Sequence, residues 1–134
     1  MHQPKESLPV TLEGGGVSVG LIGWGETAIS FMQMPAGMDL TPALAGMPGD
    51  LCQCPHWGYV LEGAVHVRYT SGDEETVEAG DVYYWPAGHT VWFDENTKFV
   101  EFSPEKEMRE VLAHIQGSGS EEAPSPEDGE VIQK

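Results

Sequence analysis

The sequence predicts an all-β fold, a small barrel or sandwich carrying one C-terminal helix, and three observations carry that prediction. Glycine and proline supply 17 and 10 of the 134 residues, so turns are frequent. Between Leu8 and Phe102, short β-branched and aromatic runs alternate with turn residues, the pattern of many short strands. A clear helical period, with Met108, Val111, Leu112 and Ile115 on one face, begins only after that region ends. The length fits one domain with one core, and the 40% apolar content suffices to pack it.

The elements follow in order. Val10 to Glu13 ends at Gly14-Gly15-Gly16, Val17 to Ile22 at Gly23-Trp24-Gly25, and Thr27 to Met34 at Pro35-Ala36-Gly37. Met38 to Asp50, interrupted by Pro42, Gly46, Pro48 and Gly49, reads as an irregular crossing of one opening of the fold. Strands are then predicted over Cys52 to Leu61, Ala64 to Thr70, Glu75 to Glu78, Val82 to Trp85, Thr90 to Phe93 and Lys98 to Phe102. Ser103-Pro104-Glu105 supplies a cap, a helix-starting proline and an early acid, and Gly117 a stop, which predicts a helix over 105–116. The domain is therefore read as 1–116. Residues 117–134, rich in Gly, Ser, Pro and acid, read as a disordered acidic tail.

Charge removes whole classes of partner. The chain holds 22 acids against 6 Lys and Arg, a formal charge of −16, and the tail accounts for only −4 of it. Nothing here could neutralise a run of phosphates, so neither nucleic acid nor an anionic membrane surface is expected as a partner, and no nucleotide cofactor is expected. No apolar run approaches a membrane span, and Met1 to Leu8 lacks the features of a signal peptide, which predicts a cytoplasmic protein. Cys52 and Cys54 are the only cysteines and lie too close for a disulfide framework, so any role they have is as thiols.

The densest chemistry lies in Cys52-Gln53-Cys54-Pro55-His56-Trp57-Gly58-Tyr59-Val60-Leu61-Glu62-Gly63. On a strand, the two-residue period puts Cys52, Cys54 and His56 on one face, with Gly58 and Val60 continuing it. Thiolate and imidazole suit zinc, and iron acceptably, whereas magnesium or calcium would want oxygen ligands. Buried inert cysteines explain the same spacing equally well. Pro55 argues for an edge or a bulge there. A second segment, Gly80 to His89, runs a strand into Pro86-Ala87-Gly88 and places His89 at the start of the next strand, on the same face as Val91 and Phe93.

Together these segments resemble the two motifs of the cupin superfamily. Tyr59-Val60-Leu61-Glu62-Gly63 is similar to the end of motif 1, Gly80 with Pro86 and Gly88 to the start of motif 2, and about 17 residues separate them. The resemblance spans roughly Ala28 to Pro104. It implies a double-stranded β-helix, or jelly-roll, barrel, often dimeric, with a metal at its mouth held by two histidines and a glutamate from motif 1 and a histidine from motif 2. This chain departs from that set. The glutamate position falls at His56, the two histidine positions near Asp50 and Cys52, and the motif 2 position at Val91, two residues after His89. The expected site is therefore a soft one built from Cys52, Cys54, His56 and His89, for a divalent metal, zinc ahead of iron.

Several other residues need a reading. Glu62, in the motif turn, is expected to be solvated. Glu101 is a candidate catalytic base if it projects into the barrel, although a solvent-facing strand position is the more ordinary reading. His66 has the opposite parity to the inward valines and is expected at the surface. Met32, Met34, Val60, Tyr84, Val91 and Phe93 are candidates for an apolar pocket, with ordinary barrel core as the alternative. Trp57, Trp85 and Trp92 fall off the predicted inward face and are candidates for a sheet-to-sheet or homodimer contact. Three functions stay open: a metal-dependent enzyme on a small molecule, a barrel that binds metal or a small-molecule ligand without turnover, and a metal-free barrel with an apolar pocket. The negative field disfavours an anionic ligand unless the metal neutralises it.

Overall fold

A computed structural model describes residues 1–122. It contains β1 (Val10–Gly14), β2 (Val17–Trp24), β3 (Thr27–Met34), β4 (His56–Glu62), β5 (Ala64–Tyr69), β6 (Glu74–Glu78), β7 (Val82–Trp85), β8 (His89–Trp92), β9 (Thr97–Pro104) and the helix α1 (Glu105–Glu122). Six strands form one antiparallel sheet in the order β1-β2-β3-β9-β4-β7, and three form a second in the order β6-β5-β8. After β4 the chain crosses repeatedly between the sheets, which is the jelly-roll architecture expected from the sequence.

The last strand is central. β9 pairs along its whole length with β3, from Thr27 opposite Pro104 to Met34 opposite Thr97, and on its other side with β4. Its inward residues are Thr97, Phe99, Glu101 and Ser103, and its outward ones include Val100 and Phe102. The core between the sheets is closed by Val60, Val65, Val67, Trp85 and Phe93, each at most 2% exposed. Met32, Met34 and Val91 belong to the same packed cluster, so five of the six pocket candidates are core residues.

Four local expectations change. The strand expected from Cys52 starts only at His56, because Pro55 has no N–H to give a ladder, and Cys52 instead pairs by itself with His89. The parity of β7 is the reverse of that expected. Cross-strand partners share a face, and Trp85 lies opposite His56, so Trp85 turns inward while Tyr84 turns outward with Trp57. Glu101 is buried, not solvent-facing. The helix also passes Gly117, which does not adopt the left-handed conformation that a glycine stop requires. The rest of the expected tail, 123–134, lies outside the described residues.

The irregular segment crosses one end of the barrel as a strap. Gly37 and Leu40 donate their N–H groups to Phe93 and Val91, and the Phe93 N–H returns to Met38, so the strap begins as an extension of the β8 edge. A 3-10 turn over Thr41–Leu44 then buries Leu44 against the core, with Thr41 and Thr90 hydroxyls 2.8 Å apart. Met108, Val111 and Leu112 of α1 are buried, and His114 Nε2 donates to the Ala45 carbonyl at 2.8 Å, tying helix to strap.

Gly63 makes the tight β4–β5 turn possible. Its φ is +81°, and a Cβ there would sit 2.5 Å from the Asn96 carbonyl oxygen and from Thr97 Oγ1. Gly63→Ala is expected to cost about 2–4 kcal/mol, combining left-handed strain with overpacking. Gly72→Ala, at φ +92° but with open space around it, should cost only about 1–2 kcal/mol. Urea unfolding of the two variants checks this, and equal losses would contradict the crowding at Gly63.

Candidate metal centre

Three sequence-predicted residues converge. Cys52, His56 and His89 each present a ligand atom within 4.8 Å of the other two, and all three side chains are buried. They arrive from different places. His56 opens β4, His89 opens β8, and Cys52 is carried to His89 by backbone bonds: its N–H donates to the His89 carbonyl at 2.8 Å, and its carbonyl accepts the Gly88 N–H at 2.7 Å. Cys52 Sγ then lies 3.6 Å from His56 Nε2, and the two imidazole centroids are 5.1 Å apart.

Both histidines are oriented through Nδ1. The His89 Nδ1 lies 2.8 Å from the Pro86 carbonyl, which can only accept, so Nδ1 carries the proton and Nε2 keeps its lone pair. His56 Nδ1 lies 2.7 Å from Ser103 Oγ; donation to that hydroxyl leaves its Nε2 free in the same way. Burial pushes the pKa of both rings below the usual histidine value, with His89 adding to the effect at His56. They are neutral donors. Burial raises the Cys52 thiol to about 12, so a bound cation would have to displace its proton. Two neutral imidazoles, each held by an outer hydrogen bond, and one cysteine sulfur that binds as thiolate fit a zinc or iron ion and do not fit calcium or magnesium.

Behind His56 lies a second polar layer. Glu101 Oε2 is 3.4 Å from His56 Nδ1, and the Tyr83 hydroxyl donates to Glu101 Oε1 at 2.8 Å. Burial raises Glu101 to about 8, against a partial opposing effect from Tyr83, so this contact joins two neutral groups and is not an ion pair. Gly58 permits the arrangement. It lies opposite Tyr83 on one side and Glu101 on the other, and a Cβ there would overlap the Tyr83 phenol and the Val100 carbonyl. The phenol therefore reaches Glu101 across the space that a side chain would have filled.

The remaining candidates fall elsewhere. Cys54 is fully buried, but its Sγ donates to the Pro55 carbonyl at 3.4 Å and stands outside the convergent group. Asp50, at the position of a family histidine, is exposed and accepts the Gly46 N–H. Glu62 is exposed, 3.8 Å from Lys98 Nζ. His66 lies on the outer face of β5, stacked on Trp92 and 2.8 Å from Asp94. Tyr83 escaped the sequence reading as a site residue, and Ser103, expected as a helix cap, instead lies within β9 and turns its hydroxyl to His56; the inward period of β9 from Thr97 would have found it.

Comparison with known proteins agrees with the fold. The Cupin domain family matches residues 53–101, which include His56, His89 and Glu101. An RmlC-like cupin from Shewanella frigidimarina NCIMB 400 is similar in structure, with TM-score 0.58 and 19% identity, covering 80% of this chain and 93% of its own. A protein from Neisseria meningitidis gives TM-score 0.54 at 13% identity, with 75% and 94% coverage. The S161A mutant of Bacillus subtilis oxalate decarboxylase gives 0.56 at 18% identity over 75% of this chain, which spans only 28% of that one. No curated protein matches the chain.

The buried acid and the two histidines give the metal-free protein a defined pH dependence. Glu101, raised from 4.5 to about 8, holds a proton that the unfolded chain has released, so its contribution is full below 4.5 and is lost as pH rises through 8. His56 and His89, lowered from 6.5, contribute fully above 6.5 and lose stability as pH falls below it. Between 6.5 and 8 only the acid slopes. Stability in the presence of a chelator should therefore fall by roughly 2 kcal/mol across that window, and Glu101→Gln should flatten the fall. Urea titrations at four pH values check it; stability that rises with pH in the unmodified protein would contradict a neutral Glu101.

Proposed function

We propose, on the match of residues 53–101 to the Cupin domain family and on the shared fold, that the chain is a cupin and a metal-dependent barrel in which Cys52, His56 and His89 hold one divalent ion, zinc in preference to iron, for a reaction on a small molecule. The observation that carries this reading is the mutual approach of three buried donors whose outer nitrogen bonds leave the inner nitrogens free. A bound zinc ion supplies Lewis acidity toward an oxygen of that molecule. Three protein donors, with Cys54 outside the group, leave a position for it, whereas four would have closed the shell.

The chain's own groups do the rest. Glu101 holds a proton next to His56, and Tyr83 fixes the orientation of its carboxyl. The strap, anchored by Leu44 and by the Thr41–Thr90 contact, keeps water from the interior. A second reading, a metal-binding barrel without turnover, is favoured by the burial of all three donors. We also read the protein as cytoplasmic, in keeping with two free, buried cysteines; among the described residues no helix is long and apolar enough to cross a membrane.

A homodimer is part of this proposal. Trp57, Tyr59, Val82, Tyr84 and Phe102 are exposed on neighbouring strands β7, β4 and β9, with Trp57 stacked on Tyr84. Their exposed halves offer on the order of 400 Å², the apolar centre of a standard interface of about 800 Å² per partner. Glu62, at the end of β4, is paired with Lys98 of β9. Trp85, buried, takes no part.

Two measurements test these readings. Cobalt titrated into the full chain is expected to bind once per chain with a thiolate charge-transfer band that Cys52→Ser removes and Cys54→Ser keeps. Ser103→Ala should weaken binding about 10–100-fold by freeing His56. Absence of cobalt and zinc binding would overturn the metal reading. Sedimentation should give a dimer mass that Trp57→Glu with Tyr84→Glu halves, and a monomer of the unmodified chain would remove the proposed interface.

A further inference from the structure

The buried polar groups of the barrel can be accounted for one by one. His56, His89, Thr90, Thr97, Glu101 and Ser103 each have a hydrogen-bond partner within the protein. Among the described residues two buried side-chain atoms have none, Ser30 Oγ and Trp85 Nε1. A buried N–H without an acceptor costs about 1–3 kcal/mol, so its persistence calls for a reason. Trp85 stands beside the two histidines of the metal centre, and Ser30 lies beyond them. Ser30 is the cross-strand neighbour of Glu101, and Trp85 that of His56.

Trp85 is held where it stands. Its ring stacks on Tyr83 with centroids 3.9 Å apart, meets Phe99 edge-on, and lies 6.1 Å from the His56 ring and 5.6 Å from the His89 ring. Tyr83 is in turn fixed by its bond to Glu101, so the indole cannot swing away to find a partner. Indole nitrogen only donates. A water molecule on a cation keeps one lone pair for such a donor, whereas a carboxylate keeps a whole second oxygen for it. A carboxylate accepts at both oxygens and so answers a cation and an N–H at once.

Resting on the metal reading above, we propose that Trp85 Nε1–H is the recognition donor for a small carboxylate bound at the open position of the Cys52/His56/His89 centre. One carboxylate oxygen takes the position left by the three protein donors, and the other accepts the indole hydrogen. The groups of the centre are buried, which favours a small ligand. The charge of the metal offsets the repulsion that a chain of −16 exerts on an anion.

Acetate is the probe, added to the full chain loaded with zinc for NMR and with cobalt for visible spectroscopy. Acetate is expected to move the Trp85 indole resonance, assigned by its loss in Trp85→Phe, and to shift the cobalt bands. In cobalt-loaded Trp85→Phe the acetate dissociation constant should rise about 10-fold or more with cobalt affinity unchanged. Acetate that shifts the cobalt bands while leaving the indole resonance still and the Trp85→Phe affinity intact overturns the role of Trp85 and leaves the metal site standing. Cobalt bands indifferent to acetate overturn the carboxylate. A protein that takes up neither metal overturns the centre itself and this proposal with it.

Discussion

The site depends on the register of β4 between β9 and β7. That register sets His56 opposite Trp85, and Gly58 opposite both Tyr83 and Glu101. A shift of one residue would turn Trp57 and Tyr59 into the core and His56 to solvent. Two things hold it. Val60 packs inward with no exposed surface, and the left-handed turn at Gly63 leads the chain into β5 against Thr97. The jelly roll then needs only to bring the start of β8 to the start of β4, and the Cys52–His89 bridge adds Cys52 to the two histidines.

Strands β4, β7 and β9 are inverted relative to an ordinary half-buried sheet. Their inward faces carry His56, Tyr83, Glu101 and Ser103, while Trp57, Tyr84 and Phe102 face out. Burying four polar side chains is unfavourable unless each finds a partner, and here they satisfy one another in a row from Tyr83 through Glu101 and His56 to Ser103. Outward aromatics are likewise unfavourable for a monomer. The same pleat that provides a polar interior thus provides an apolar exterior. One geometric choice accounts for both the proposed metal centre and the proposed dimer face.

Burial also sets the chemistry. In the dry interior charge is costly, so the histidines stay neutral, the carboxyl stays protonated to about 8, and the Cys52 thiol resists ionisation. A cation would change that balance by making a thiolate at Cys52 favourable. The strap and α1 are linked through His114 and Ala45, and both bury apolar side chains in the core, Leu44 from the strap and Met108, Val111 and Leu112 from the helix.

Strand-forming runs, glycine turns and the helical stripe were legible because they are local. So were Cys52, His56 and His89, since their residue types announce ligand chemistry before any fold is known. Tyr84 was misread as inward and Glu101 was assigned the ordinary solvent face, because on strands with apolar residues on both faces the two-residue period does not say which side is the core. Cys54 looked equivalent to Cys52 only while Pro55 was assumed to lie within a continuous strand. The sequence by itself determined the architecture and the donor types, through periodicity and turn chemistry. Only the tertiary structure decided which donors meet and which polar groups go unpaired, because both depend on pairings between strands distant in the chain, such as Ser30 with Glu101 and His56 with Trp85.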